Sequence, residues 1–277
     1  MGLENFVPEV WSAKLFVRLR KSLVHASTVQ RDYEGEISQY GDTVRINEIG
    51  AVDVSDYTKY DDISWQEMDS AQKILLIDQA KSFAVQLDDI DKAQVKPKLM
   101  DGIMSEAAYA IADEVDQHIA GKYSEAGNTV SALTVTVGAV IQNISNMQLK
   151  LNEANVPQQD RYLVVPPWYH QHIVNSVSQG ISSTGVPKVR DDGVIVNGFV
   201  GELYGFNILM SNNISNNGSV WQMMAYHKSA ITFAGQIAKM EATRIEARFG
   251  DGIKGLYLYG SKVVRPNAMV TCAATKG

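Results

Sequence analysis

Residues 35–48 read GEISQYGDTVRINE and residues 73–87 read KILLIDQAKSFAVQL, and the pairing of these two stretches decides the fold. In the first, Val44 and Ile46 alternate with Thr43, Arg45 and Asn47, the period of a strand with one exposed face. In the second, the run Ile74-Leu75-Leu76-Ile77 leads into Phe83, Val85 and Leu87, which alternate with Ser82, Ala84 and Gln86. It reads as the returning strand. Residues 35–90 therefore predict a long two-stranded ribbon with no core of its own, and such a ribbon must bury its apolar side chains on a neighbour. Between the strands, residues 50–72 carry Asp53, Asp56, Asp61, Asp62, Glu67 and Asp69 against Lys59 alone, which leaves five excess negative charges. Polar loops of this length are usually functional or ordered by a partner; a solvated surface hairpin is the plain alternative.

The 277 residues are 45% hydrophobic and 20% charged, ordinary for one large or two modest globular domains. No run approaches the roughly 20 apolar residues that span a bilayer. The opening residues, MGLENFVPEV, lack the layout of a secretory signal. Cys272 is the one cysteine, which rules out an internal disulfide and a cysteine metal cluster and fits a reducing cytoplasm. The net charge of −6 argues against a dedicated nucleic-acid binder. That charge is unevenly spread. Residues 10–31 hold Lys14, Arg18, Arg20, Lys21 and Arg31 and no acid, and residues 239–266 hold Lys239, Arg244, Arg248, Lys254, Lys262 and Arg265 against Glu241, Glu246 and Asp251. Two basic segments and one acidic ribbon suggest a self-complementary assembly, although mixed charge is also what most surfaces carry.

The spacing of Val10, Trp11, Leu15 and Leu19 predicts a basic amphipathic helix over residues 7–22, an N-terminal arm docking on protein rather than on a membrane. The clearest helix is 97–121, where Leu99, Ile103, Ala107, Ile111, Val115 and Ile119 recur every four residues beside the ridge Met100, Met104, Ala108 and Ala112. Pro97 suits its first turn and Gly121 its stop. Further helices are expected over 137–155 and 168–179. Strands are expected at 162–165, 194–196, 206–210, 221–225 and 230–233. A last hairpin is expected from the alternation over 240–248, the turn Gly250-Asp251-Gly252 and the strand 253–264.

Little in the chain carries catalytic chemistry. His170 and His172 have no carboxylate or cysteine at ligand spacing, so they read as a polar helix start rather than a zinc site. Asp88, Asp89 and Asp91 precede the long helix without the glycine or distal glutamate of a calcium loop. No phosphate-binding glycine loop and no nucleophile elbow is present. The expectation is a chain without catalytic residues, cofactor or metal.

Four stretches carry a resemblance. They are Val7-Pro8-Glu9-Val10-Trp11-Ser12; Tyr33-Glu34-Gly35-Glu36-Ile37 with Gly41-Asp42-Thr43-Val44; Ile77-Asp78-Gln79-Ala80-Lys81 with Phe83, Asp88, Asp89, Asp91 and Gln94; and Gly255-Leu256-Tyr257-Leu258-Tyr259-Gly260 through Lys262 to Pro266. Together, in this order, they resemble the major capsid (coat) proteins of tailed bacteriophages, the lambdoid-phage capsid fold family. The resemblance implies an α+β fold with an N-terminal arm (1–34), an extended β-hairpin loop (35–90), and a peripheral domain (91–130 and 231–277) whose spine helix is 97–121. An axial domain (131–230) completes it. It implies a non-enzymatic subunit of the icosahedral head, present in the virion, made in the host bacterial cytoplasm and enclosing double-stranded DNA. The expected partners are further copies of the chain in hexamers and pentamers, a portal protein, packaged DNA held weakly, and a decoration protein as a further candidate. The chain enters the arm directly from Met1, so scaffolding is expected from a separate protein. The lysine–asparagine crosslink of some relatives has no match here.

Candidate contacts between copies are the apolar anchors Tyr57, Tyr60, Ile63 and Trp65, and the acids Asp61 and Asp62 set against Arg244, Arg248 or Lys254 of a neighbour. Two alternatives stand beside this reading: a cellular nanocompartment shell of the same fold around an enzyme cargo, and an α/β enzyme using His170 or His172.

Overall fold

The computed structural model describes residues 24–32, 43–49, 54, 56, 59, 70–88, 98–178, 199–245 and 250–276. Its longest helix, α2 (Lys98–Ala120), follows one helical turn, α1 (His25–Thr28), and the strands β1 (Thr43–Ile49), β2 (Ser70–Leu76) and β3 (Gln79–Asp88). The helix expected over 97–121 is found almost to the residue, and a 3-10 turn, Gly121–Glu125, extends it. Its buried stripe is Met104, Ala108, Ile111, Ala112, Val115 and Ile119, the two ridges read from the sequence. Beyond it come β4 (Asn128–Val135), α3 (Val137–Glu153), β5 (Arg161–Val165), α4 (Pro167–Ser178), β6 (Phe199–Leu203) and β7 (Phe206–Met210). The chain closes with β8 (Asn216–Asn217), β9 (Val220–His227), β10 (Ile231–Arg244), β11 (Gly250–Val263) and β12 (Met269–Lys276). The helix expected over 7–22 and the strand expected at 194–196 lie outside the described residues.

The architecture is α+β, with three sheets among the described residues. The largest runs β4-β12-β9-β5-β7-β6, with β8 on β9; a three-stranded antiparallel sheet runs β10-β11-β3; and β1 and β2 pair as a ribbon. In the middle of the large sheet both faces are buried, so β5 is apolar from Leu163 to Val165, whereas edge strand β4 alternates buried Val130 with exposed Thr129 and Ser131. On β9, Met223 and Ala225 face α3 and α4, while Met224 and Tyr226 face the core around α2. That second core also takes Phe233, Tyr257 and Tyr259 from β10 and β11, so α2 packs against both sheets.

Two sequence expectations are corrected. The stretch 73–87 is not one returning strand. Its first part pairs with β1, from Thr43↔Leu76 to Ile49↔Ser70, but after Ile77 and Asp78 the chain becomes β3 and pairs with β11. The apolar run Ile74–Ile77 and the alternation of Phe83, Val85 and Leu87 both suit a strand, and neither pattern says which sheet a strand joins. The Gly250-Asp251-Gly252 turn is also displaced. Those residues are already in β11, opposite Arg244 and Thr243, and Ile245 N–H donates to Gly250 O at 3.0 Å to close the hairpin one step earlier. The glycines of β11 make room for neighbours instead: a Cβ on Gly255 would meet the Phe83 ring.

Gly260 marks the tightest of these approaches. A Cβ there would run into the carbonyl oxygen of Leu76, at the point where the ribbon crosses onto β11, and 3.1 Å from Ile77 Cδ1. Backbone cannot rotate aside, so Gly260→Ala is expected to cost about 3 kcal/mol, the upper range for overpacking. Thermal unfolding followed by circular dichroism checks this, and an unchanged midpoint contradicts it.

Candidate assembly interface

The ribbon has two apolar faces because Ile74-Leu75-Leu76-Ile77 is apolar at every position. Val44, Ile46, Leu75 and Ile77 point inward onto Ala234, Leu258 and Val264. Ile74 and Leu76 point the other way and are 50% and 46% exposed. The expectation that the ribbon buries nothing at home is thereby corrected for its base: one face is seated on β10 and β11, and the other is open.

The N-terminal segment is fastened to the opposite edge of the same sheet. Gln30 N–H donates to Ile231 O at 3.0 Å, Phe233 N–H donates to Gln30 O at 2.9 Å, and the Arg31 guanidinium lies 5.4 Å from the Phe233 ring centre. Upstream, α1 sits in a buried polar network. His25 N–H donates to Asp116 Oδ1 at 2.7 Å, Thr28 Oγ1 lies 2.7 Å from the Tyr226 hydroxyl, and His25 Nδ1 lies 3.3 Å from that hydroxyl. Ser211 Oγ and Asn213 Nδ2 each donate to Asp116 Oδ2 at 3.4 Å, and Asn213 Nδ2 also donates to Asp113 Oδ1 at 2.6 Å. Burial holds the His25 imidazole below its ordinary pKa and pushes the Tyr226 phenol well above its own. The network reaches the carboxylates of Asp116 and Asp113, and it pins the start of the described chain to α2.

Of the contact residues expected from the sequence, Arg244 and Lys254 lie on the β10–β11 hairpin; Tyr57, Tyr60, Asp61, Asp62, Ile63, Trp65 and Arg248 lie outside the described residues. The two cations are exposed, 59% and 57%, and both have acids of their own: Arg244 Nη1 is 3.5 Å from Asp251 Oδ1, and Lys254 Nζ is 2.8 Å from Glu241 Oε2. Lys239 pairs with the same glutamate, and together Lys239 and Lys254 hold the Glu241 carboxyl down to about 2. Beside them Ser82, Gly255 and Leu256 floor a hollow of about 220 Å³ whose rim is Lys239, Glu241 and Lys254.

His170 and His172 lie in α4 beside Trp168, whose ring centre is 6.2 Å from that of His172, and desolvation lowers the His170 pKa. Among the described residues, no three His, Cys, Asp or Glu side chains converge as a metal site. Cys272 is buried and free; its thiol is pushed up by burial and accepts a hydrogen bond from Asn143 Nδ2 at 3.1 Å. No described helix is long and apolar enough to cross a membrane.

The described residues thus form an α+β chain with a ribbon base open on one face and a fastened N-terminal segment. The sequence profile of the phage capsid protein family matches residues 51–272, and the chain belongs to that family. A structure from Mycobacterium phage Che8 is 29% identical, covering 98% of this chain and 94% of that one at a TM-score of 0.72. The capsid of cyanophage P-SCSP1u is 17% identical over 93% and 90%, also at 0.72. A virus-like particle from Pyrococcus furiosus shares the fold at 11% identity, 96% and 99% coverage and a TM-score of 0.57. No curated protein sequence matches. The fold is that of tailed-phage capsids, and the protein is a major capsid protein that self-assembles into a phage head. The family match favours a phage head over a nanocompartment shell.

Sequence reasoning missed the His25–Asp116–Tyr226 network, though a signal was present. Asp116 continues the buried ridge Met104, Ala108, Ala112 by one more step of four, and a carboxylate on an apolar ridge calls for buried donors. It also missed Arg161, which is fully buried at the start of β5.

Proposed function

We propose that the shell is held by ribbons laid across neighbours. Each copy places its loop (35–90) on an adjacent copy and reaches with its N-terminal arm (1–34) toward another, within hexamers and pentamers. The long helix and the closing strands form a peripheral domain (91–130 and 231–277), and residues 131–230 form an axial domain around the symmetry axes. The observation that carries this reading is the two-faced base of the ribbon, seated at home through Leu75 and Ile77 and open at Ile74 and Leu76.

Tyr57, Tyr60, Ile63 and Trp65 are the anchors, and the hollow beside Lys254 is of a size to take one aromatic ring of a neighbouring copy. Asp61 and Asp62 then approach Arg244, Arg248 and Lys254. Because Arg244 and Lys254 already have acids at home, each such pair adds only about 0–1 kcal/mol and is screened by salt. Many weak contacts sum over a closed lattice. A portal protein, a separate scaffolding protein, a decoration protein and loosely held double-stranded DNA complete the partners, and the virion subunit is made in the host bacterial cytoplasm. It performs no catalysis.

Trp65→Ala is expected to raise the subunit concentration needed for assembly about 30-fold, the equivalent of a 2 kcal/mol hot spot. Light scattering and negative-stain microscopy of the expressed chain read this out. Assembly at wild-type concentration overturns the anchor assignment, and a chain that stays monomeric overturns the ribbon mechanism.

A further inference from the structure

The outer face of the β10-β11-β3 sheet is only partly covered. Register places Lys239, Leu256 and Ser82 in one cross-strand row and Glu241, Lys254 and Ala84 in the next. To the other side of the first row, Leu258 lies under the ribbon base with Leu75 and Ile77. The hollow of about 220 Å³ therefore begins where the ribbon base ends, and Leu256, which packs against that base, forms part of its floor. Glu241 is the one acid among the residues that line it, and two lysines share it. Lys239 Nζ meets one of its carboxylate oxygens, and Lys254 Nζ meets the other at 2.8 Å. Hydrogen bonds from Lys239 and then Lys254 hold that carboxyl down to about 2, so it is ionised at neutral pH and the rim carries one net positive charge.

We propose that this hollow seats Tyr60 of a second copy, with Asp62 of the same segment reaching the lysines of the rim. The proposal rests on the ribbon mechanism above and names the residues that enter this site. An aromatic ring covers the apolar floor while its hydroxyl donates to Glu241 or Ser82, and the uncompensated positive charge calls for a carboxylate. In an extended chain, residues two apart share a side. Tyr60 has Asp62 at that spacing, with Asp61 adding a second acid. Tyr57 has Lys59 instead, which the lysines repel, and Trp65 has Glu67 with no second acid beside it. The course of the ribbon favours a second copy as the source. Leu76 O lies against Gly260 and Lys73 Nζ donates to Val264 O, so β2 leads from Gly260 toward Val264. The hollow, at Leu256 and Lys254, lies on the other side of Gly260.

The test uses full-length chains, one carrying Tyr60→Cys and another Leu256→Cys, mixed before assembly and then oxidised; the native Cys272 is buried. A disulfide needs Cα atoms within about 7 Å, so a linked dimer with one chain of each kind is expected. Ser82→Cys takes the place of Leu256→Cys should circular dichroism show the latter misfolded. As a second readout, Lys254→Glu is expected to raise the subunit concentration needed for assembly about tenfold, and Asp62→Lys in the same chain to restore most of it. Shells that close without the mixed dimer, a link through Trp65→Cys in place of Tyr60→Cys, or assembly indifferent to Lys254→Glu defeat this inference alone. A link formed only within one chain, in the Tyr60→Cys/Leu256→Cys double variant, overturns it as well. Wild-type chains that never associate defeat the ribbon mechanism, and this inference with it.

Discussion

Replacing Arg161 by alanine is expected to lower stability by about 4 kcal/mol and the melting midpoint by roughly 10 °C. The side chain is fully buried, yet no carboxylate is among its hydrogen-bond partners. Nε donates to Pro157 O at 2.7 Å, Nη1 to Asn152 Oδ1 at 2.8 Å and Nη2 to Val156 O at 2.6 Å. These acceptors cluster at the end of α3, where the helix dipole is negative and favours a cation. Alanine takes the donors from three part-buried acceptors that water can partly re-satisfy, so most of the loss comes from the cavity left by a fully buried side chain. Arg161→Lys keeps the charge but not the fork, so about half of the loss is expected. The turn that Arg161 secures contains Asn155 at φ 55°, so shell yield is expected to fall with stability. Calorimetry on the dissociated subunit decides the matter: a midpoint equal to wild type for Arg161→Ala sinks the account.

Acid is expected to loosen the N-terminal segment. The His25 ring is fully buried, and its Nε2 has no hydrogen-bond partner among the described residues. Around it stand the Tyr226 hydroxyl, Thr28 and Asp116, with Asp113 reached through Asn213. Burial lowers its pKa more than Asp116 raises it. The folded value therefore lies below the ordinary 6.5, and the unfolded chain takes up the proton first. Stability from this group is complete above about pH 6.5 and is lost as pH falls toward the folded value, at up to about 1.4 kcal/mol per pH unit. His118, His170 and His227 are shifted in the same direction by desolvation and steepen the profile. Thermal melts from pH 8 to pH 5 are expected to show this decline, with a shallower slope in His25→Gln. A His25→Gln profile parallel to wild type would remove the histidine from the explanation.

Both effects arise in places that no periodicity reveals. The spine helix, α3, α4 and β7 were legible because apolar residues repeat along one chain segment, as in Ile111, Val115 and Ile119. The contact candidates were legible only as composition, an acidic ribbon and basic ends. The split between β2 and β3 was hidden because the stretch from Ile74 to Leu87 stays strand-like in sequence while the chain changes sheets.

By itself the chain determined its element types, the α+β class and its likeness to phage capsid subunits, because helical and strand periods and short motifs are local properties. Tertiary structure alone decided which face of the ribbon stays open, which cations are already paired at home, and that Arg161 and Asp116 are buried against hydrogen-bond partners from other segments. Those outcomes depend on contacts between residues tens to hundreds of positions apart. Side-chain pattern records that a surface is apolar or charged; only the packed chain records what has come to lie against it.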